Sequence, residues 1–176
     1  MKTFYIFLDV DGVLNNEEYF MKCFNRHKVK GIMSMNCFPF DPKCLNNLMK
    51  LNQELQKQNY NVKIVLSSTW RLNQIDMEIV NARLAEYGMT IFAKTISLNS
   101  GDRGLEIKNF IENERYEKAD NFLILDDEIG DIKKQFEDIH IIHTNFSTGF
   151  DNEKLEESMK KINLKGGTKE WMIGLL

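Results

Sequence analysis

The sequence predicts an α/β protein of three layers, with helices on both faces of a central, mainly parallel sheet. Three observations lead to this fold class. Short apolar runs rich in β-branched and aromatic residues alternate along the chain with segments of helical periodicity, the pattern of βαβ units. Within the runs, successive positions are apolar, as in strands buried on both faces, and do not alternate as half-exposed strands do. Three of the runs stop directly at polar side chains, Asp9, Ser67 and Asp126, and in open parallel sheets ligands lie beyond the carboxyl ends of the strands.

In chain order, TFYIFLD (3–9) is the first strand. Asp41 and Pro42 open a helix as N-cap and first helical residue, with Leu45, Leu48, Met49, Leu51 and Leu55 as its apolar stripe. VKIVL (62–66) is the second strand. Residues 73–87 read as a helix with Ile75, Ile79, Ala82 and Leu84 inward, closed by Gly88. MTIFA (89–93) is a short strand, and the polar loop LNSGDRG leads into a helix over 104–115. NFLIL (121–125) is a strong strand, IHII (139–142) a short last one, and Lys154 to Ile162 an amphipathic helix. Trp171 in the tail suggests that the C-terminal segment docks on the body.

The 176 residues suffice for one sizeable core. With two prolines, no repeats and no low-complexity stretch, the chain reads as a single domain over 1–176 carrying an insert at about 15–40. The composition, 43% hydrophobic and 28% charged, is that of an ordinary globular protein. A net charge of -3 gives no global attraction to nucleic acid or an anionic membrane, so contact with a polyanion needs a local patch. The first apolar run is short, ends at Asp9 and Asp11 and lacks a cleavage site, unlike a signal peptide. No run approaches the roughly 20 apolar residues of a membrane span. A soluble, cytoplasmic protein with no membrane partner and no evident obligate protein partner is expected. Cys23, Cys37 and Cys44 form no CxxC pair and read as reduced thiols. A zinc site from these three and His27 has the right count, but its spacings fit no standard site.

Three segments carry chemistry. In FLDVDGVLN the extended chain points Asp9 and Asp11 the same way, and Gly12 permits a sharp turn. Two such close carboxylates repel unless a cation or a shared proton compensates. A calcium loop would need further oxygen ligands where this chain has Val13 and Leu14. In VLSSTWR, a hydroxyl at a strand end followed by free backbone N–H groups can hold a phosphate oxygen. Ser67, the first polar residue past the strand, is the expected contact, with Ser68 beside it, although Ser-Ser-Thr is also a common turn composition. In ILDDE, Asp126 and Asp127 suit Mg²⁺, a hard cation that prefers oxygen. A solvated helix N-cap is the other reading.

Together, Asp9, Asp11 and Gly12, then Ser67, then Asp126 and Asp127 resemble, in order and spacing, the first, second and fourth motifs of the haloacid dehalogenase-like (HAD) superfamily. More narrowly, VLSSTWR, Arg103 with Glu106 and Ile107, ILDDE and Thr148-Gly149-Phe150 resemble the HAD domains of bacterial RNA-repair proteins. The resemblance implies a three-layer Rossmann-like core. It also implies a phosphatase in which Asp9 attacks phosphorus and forms an aspartyl-phosphate, while Asp11 serves as general acid and then base. Mg²⁺ would be held by the Asp9 side chain, the Asp11 backbone carbonyl and Asp126, with Asp127 as ligand or neighbour. Asp at position 11 is the residue of phosphatases and phosphomutases in this superfamily, where ion-pumping ATPases carry Thr. The third motif, a charge-balancing Lys or Arg, falls on Arg103 in the GDRG loop or on Lys108 in the helix that follows. Arg71 is placed either against substrate or in a surface salt bridge. Asp131 and Asp138 read as helix-surface acids, Asp131 with a weaker claim on the site.

The insert occupies the position of the superfamily's cap. It is too short for a large cap domain and long enough for a flap or short helical pair. It holds Lys22, Arg26, Lys28 and Lys30 with Phe24 and Phe38, and no acid from Tyr19 to Phe40. Lys28 and Lys30 are therefore candidate substrate contacts for a nucleotide or nucleic-acid phosphate end, the alternative being a plain amphipathic cover. Two other functions share the fold: a phosphotransferase or phosphomutase using the same Asp9 chemistry, and a catalytically silent binding module. A phosphorylated small molecule or nucleic-acid end is the expected partner.

Overall fold

The structure, a computed structural model, describes residues 1–29, 40–113 and 121–166, without the side chains of 26–29 and 164–166. Five strands form one sheet in the order β3-β2-β1-β4-β5, with every pairing parallel. The strands are β1 (Lys2–Leu8), β2 (Tyr60–Leu66), β3 (Ile91–Lys94), β4 (Phe122–Asp126) and β5 (Ile141–His143). Helices α1 (Glu17–Val29), α2 (Pro42–Lys57), α3 (Gln74–Ala85), α4 (Arg103–Glu112) and α5 (Asn152–Gly166) connect or close them. This is the three-layer α/β architecture that the alternation of apolar runs predicts.

β1 shows why the central runs are apolar at every position. Phe4, Ile6 and Leu8 join Leu45, Leu48, Leu51 and Leu55 of α2 on one face. Tyr5 and Phe7 point oppositely and pack with Ile107 and Phe110 of α4. All five of these β1 side chains are at most 1% exposed, each stabilising the fold by roughly 1.5–3 kcal/mol. α2 begins as expected, with the Asp41 side chain accepting from Lys43 N–H at 2.9 Å and Pro42 in the first turn.

α3 is rotated relative to its expected phase. Ile75 and Ile79 are 66% and 42% exposed and Ala82 is also exposed, while Val80 and Leu84 are buried. The helix connects β2 to the edge strand β3, where only a narrow stripe is covered, so apolar content misleads about its inner face. The chain leaves α3 through Gly88 at φ +71°, with Met89 N–H donating to Leu84 O at 3.0 Å. β3 starts two residues later than expected, at Ile91. Trp171 lies outside the described residues. Among the described residues no helix is long and apolar enough to cross a membrane.

Candidate active site

Parallel pairing of β1 with β2 and β4 brings three strand ends together, with Leu8 opposite Leu66 and Leu125. The next residues are cross-tied: Asp9 N–H donates to Leu125 O and Ser67 N–H to Leu8 O, both at 3.0 Å. Asp9 is 4% exposed and Asp126, the last residue of β4, is fully buried.

After Asp9 the backbone turns tightly, with the N–H groups of Val13, Leu14 and Asn15 all directed to Val10 O. Gly12 takes φ +67°, and a Cβ there would lie 2.3 Å from Asp127 Oδ2. The turn therefore needs glycine both for its backbone angle and to admit the Asp127 carboxylate. Asp11 is fixed from two sides: Asn15 Nδ2 donates to its Oδ1 at 2.7 Å and Trp70 Nε1 to its Oδ2 at 2.9 Å. Asn15 Oδ1 also accepts from Gly12 N–H at 3.1 Å.

Carboxylate oxygens of Asp9, Asp126 and Asp127 lie within 4.8 Å of one another. Facing them, Arg103 Nη1 is 2.8 Å from Asp9 Oδ1 and 2.7 Å from Asp126 Oδ2. Arg103 opens α4, which Asp102 caps by accepting from Leu105 N–H at 2.9 Å. The helix start presses on the segment after β4, where a Cβ on Gly104 would lie 2.4 Å from Asp131 O. Burial raises the Asp9 pKa to about 7, aided by the Asp126 charge, while Arg103, a hydrogen bond with Ser68 and the Val10 N–H pull it down. Burial also raises Asp126 against the opposing pull of Arg103 and of a hydrogen bond from Glu128 N–H. Asp127 is raised by burial and then by the Asp126 charge. Arg103 is raised: burial opposes its charge, but the two carboxylates outweigh it. One guanidinium thus pairs with two of three crowded carboxyl groups, and the chemistry of this all-oxygen donor set is of the kind that fits a hard divalent cation.

The remaining candidates separate clearly. Lys108 is exposed and its Nζ donates to Gln135 Oε1 at 3.4 Å, so the helix turns it away from the carboxylates that Arg103 reaches. Ser68 hydrogen-bonds Asp9 and accepts from Trp70 N–H at 3.4 Å. The Ser67 hydroxyl is fully buried with no hydrogen-bond partner among the described residues. Arg71 departs from the expected surface salt bridge, since it is 4% exposed and its ion pair lies inside the fold. Its donors serve the carbonyls of Thr95, Ser67, Ser68 and Ile96 and the Glu106 carboxylate. A guanidinium has five N–H donors, and five acceptors surround this one, so in this structure it supports the loop. Lys28 lies on α1 with its side chain outside the described residues, as does all of Lys30. Asp131 pairs with Lys134, and Asp138 with Lys133 on the surface.

The zinc set is only partly described, Cys37 and the His27 side chain lying outside. Cys23 and Cys44 are buried, and burial raises the Cys44 thiol to about 12. Asn15, Trp70 and Glu106 are site-building residues whose roles sequence reasoning missed. Asn15 and Trp70 sit within the motif segments, four residues after Asp11 and three after Ser67.

No curated protein and no solved structure matches the chain. A family model, the HAD domain in Swiss Army Knife RNA repair proteins, matches residues 5–155. That span runs from β1 into α5 and holds every described residue of the strand-end site. The chain therefore belongs to the HAD domain family of the Swiss Army Knife RNA repair proteins.

Proposed function

We propose that the chain is a Mg²⁺-dependent phosphohydrolase that cleaves phosphate monoesters by attack of Asp9, acting on nucleotide or nucleic-acid phosphate ends. The observation that carries this reading is the cluster of Asp9, Asp126 and Asp127 carboxylates, two of which, Asp9 and Asp126, pair with the Arg103 guanidinium. Membership of a family named for RNA repair proteins supports the substrate class.

Asp9, Asp126 and Asp127 would hold Mg²⁺, which when bound supplies positive charge between carboxylate and phosphate. An Asp9 oxygen attacks phosphorus, the bond to the leaving oxygen breaks, and an aspartyl-phosphate forms. Asp11, held by Trp70 and Asn15, gives its proton to the leaving oxygen. It then takes one from the water that hydrolyses the acyl phosphate and regenerates Asp9. Arg103 balances charge at Asp9 and offers a fork suited to phosphate. The unsatisfied Ser67 hydroxyl suits a phosphate oxygen.

The test is phosphate release from mononucleotides, sugar phosphates, phosphopeptides and oligonucleotides phosphorylated at either end, with and without Mg²⁺. Mg²⁺-dependent release that disappears in Asp9→Asn is expected. Undiminished turnover by Asp9→Asn would overturn the role of Asp9. Transfer of phosphate to an added alcohol in preference to water would make the protein a phosphotransferase.

A further inference from the structure

An apolar cleft of about 300 Å³ opens beside Asp11, lined by Asp11, Asn15, Glu17, Phe20, Met21 and Phe146 among others. Nothing in the phosphate chemistry requires it. Phe20, Met21 and Phe24 share one face of α1 at the i, i+1, i+4 spacing. In a surface helix such an apolar stripe normally turns to the core. Here it turns outward: Phe20 is 37%, Met21 46% and Phe24 43% exposed, while Cys23 faces inward. Phe20 and Phe24 stack with ring centroids 6.3 Å apart. Phe146 is 55% exposed.

The two walls are pinned together. Glu17 N–H donates to Phe146 O at 3.0 Å and Glu18 N–H to Ser147 O at 3.2 Å. The turn that presents Phe146 is closed by an Asn145–Gly149 bridge. At Gly149, φ +67°, a Cβ would lie 2.8 Å from both Cys44 Sγ and Val13 O, so the turn is seated tightly on the body.

Charge and position identify the occupant. The described lining residues include the acidic side chains of Asp11 and Glu17 and no cation, so a second phosphate finds no counter-charge among them. Exposed aromatic faces instead favour a flat neutral ring. Because Asp11 is in the wall, whatever fills the cleft lies on the leaving-group side of phosphorus. A volume at the lower end of the about 300–1,000 Å³ range of small-molecule sites suits one base with its sugar and no duplex.

We propose that this cleft is a base subsite, in which the nucleobase of the leaving nucleoside packs on Phe20 and Phe146, so that the substrate is a nucleotide or the terminal nucleotide of a strand. The proposal rests on the phosphohydrolase reading for the side on which the nucleoside leaves.

The experiment compares kcat/KM for adenosine monophosphates phosphorylated at either end of the ribose with that for glycerol phosphate, and measures adenosine binding separately. The proteins are wild type, Phe20→Ala, Phe146→Ala, the double variant and Phe20→Tyr. Wild type is expected to favour the nucleotide by about 5–100-fold, the range that base stacking supplies. The alanine variants should lower that ratio through KM and weaken adenosine binding, and Phe20→Tyr should keep both. Turnover with a ratio equal in wild type and alanine variants would overturn the subsite and leave the hydrolase reading standing. Absence of turnover, with adenosine binding lost in the alanine variants, would overturn the hydrolase and keep the subsite. Absence of both turnover and adenosine binding would overturn both.

Discussion

The guanidinium of Arg71 and the carboxylate of Glu106 form an ion pair in which each side chain is 4% exposed. Arg71 follows the strand-end serines, and Glu106 lies one turn along the helix that Arg103 opens. Glu106 also accepts from Leu98 N–H at 2.8 Å, ordering the loop that leads to Arg103. The pair therefore couples the β2 end of the site to its guanidinium.

Arg71→Ala removes one partner and strands Glu106 in a dry environment, a change that typically costs about 3–5 kcal/mol. Urea unfolding should show a loss of that order. Arg71→Lys should rescue little, because one ammonium cannot replace a planar fork serving four carbonyls and a carboxylate. A shift below about 1 kcal/mol, the scale of an exposed pair, would contradict a framework role for Arg71.

Much of the site was legible because it sits at the ends of central strands. Burial on both faces makes the carboxyl-end halves of β1, β2 and β4 continuously apolar, so Asp9, Ser67 and Asp126 stand out as the first polar residues after them. The phase of α3 was not legible: beside an edge strand the apolar residues Ile75 and Ile79 remain exposed, and periodicity cannot say which face is covered. Nor was the fate of Arg71, since its carboxylate partner is 35 residues away and leaves no local signal. The same holds for Trp70, 59 residues from the carboxylate it serves. Between Arg103 and Lys108 the sequence favours Arg103 by its place in the GDRG loop; in the structure Arg103 pairs with Asp9 and Lys108 with Gln135.

Trp70→Phe keeps a ring to pack on Phe40, whose centroid is 5.5 Å away, and deletes the donor to Asp11 Oδ2. A hydrogen bond contributes about 0.5–3 kcal/mol according to the charge of its partner. If the Asp11 orientation depends on it, kcat should fall about 10-fold or more, with little change in KM or melting temperature. An unaltered kcat would show that Asn15 alone suffices to hold Asp11.

Gly12→Ala should harm both fold and metal binding. An alanine at φ +67° costs about 1–2 kcal/mol, and its Cβ collides with the Asp127 carboxylate. Displacing that carboxylate should raise the Mg²⁺ concentration for half-maximal activity about 10–100-fold, as for other disturbed metal sites. Titration of activity and of thermal stability with Mg²⁺ reads both effects. An unchanged half-saturation would remove Asp127 from the proposed ion site.

The raised pKa of Asp9 makes stability depend on pH with a definite sign. In the unfolded chain its carboxyl titrates near 3.8, and in the fold burial raises it to about 7. The folded state therefore holds the proton more tightly. Its stabilising contribution is complete below about pH 4 and is lost as pH rises through about 7. Mg²⁺ needs the ionised carboxylate and so competes with that proton. Added Mg²⁺ should raise the melting temperature little at pH 5.5 and substantially at pH 8, and binding near neutrality should release protons. Asp9→Asn removes the titrating group, so the pH dependence of the Mg²⁺ effect should flatten. Scanning fluorimetry at the two pH values, with wild type and variant side by side, measures this directly. A Mg²⁺ effect equal at both values in wild type would place the ion away from Asp9.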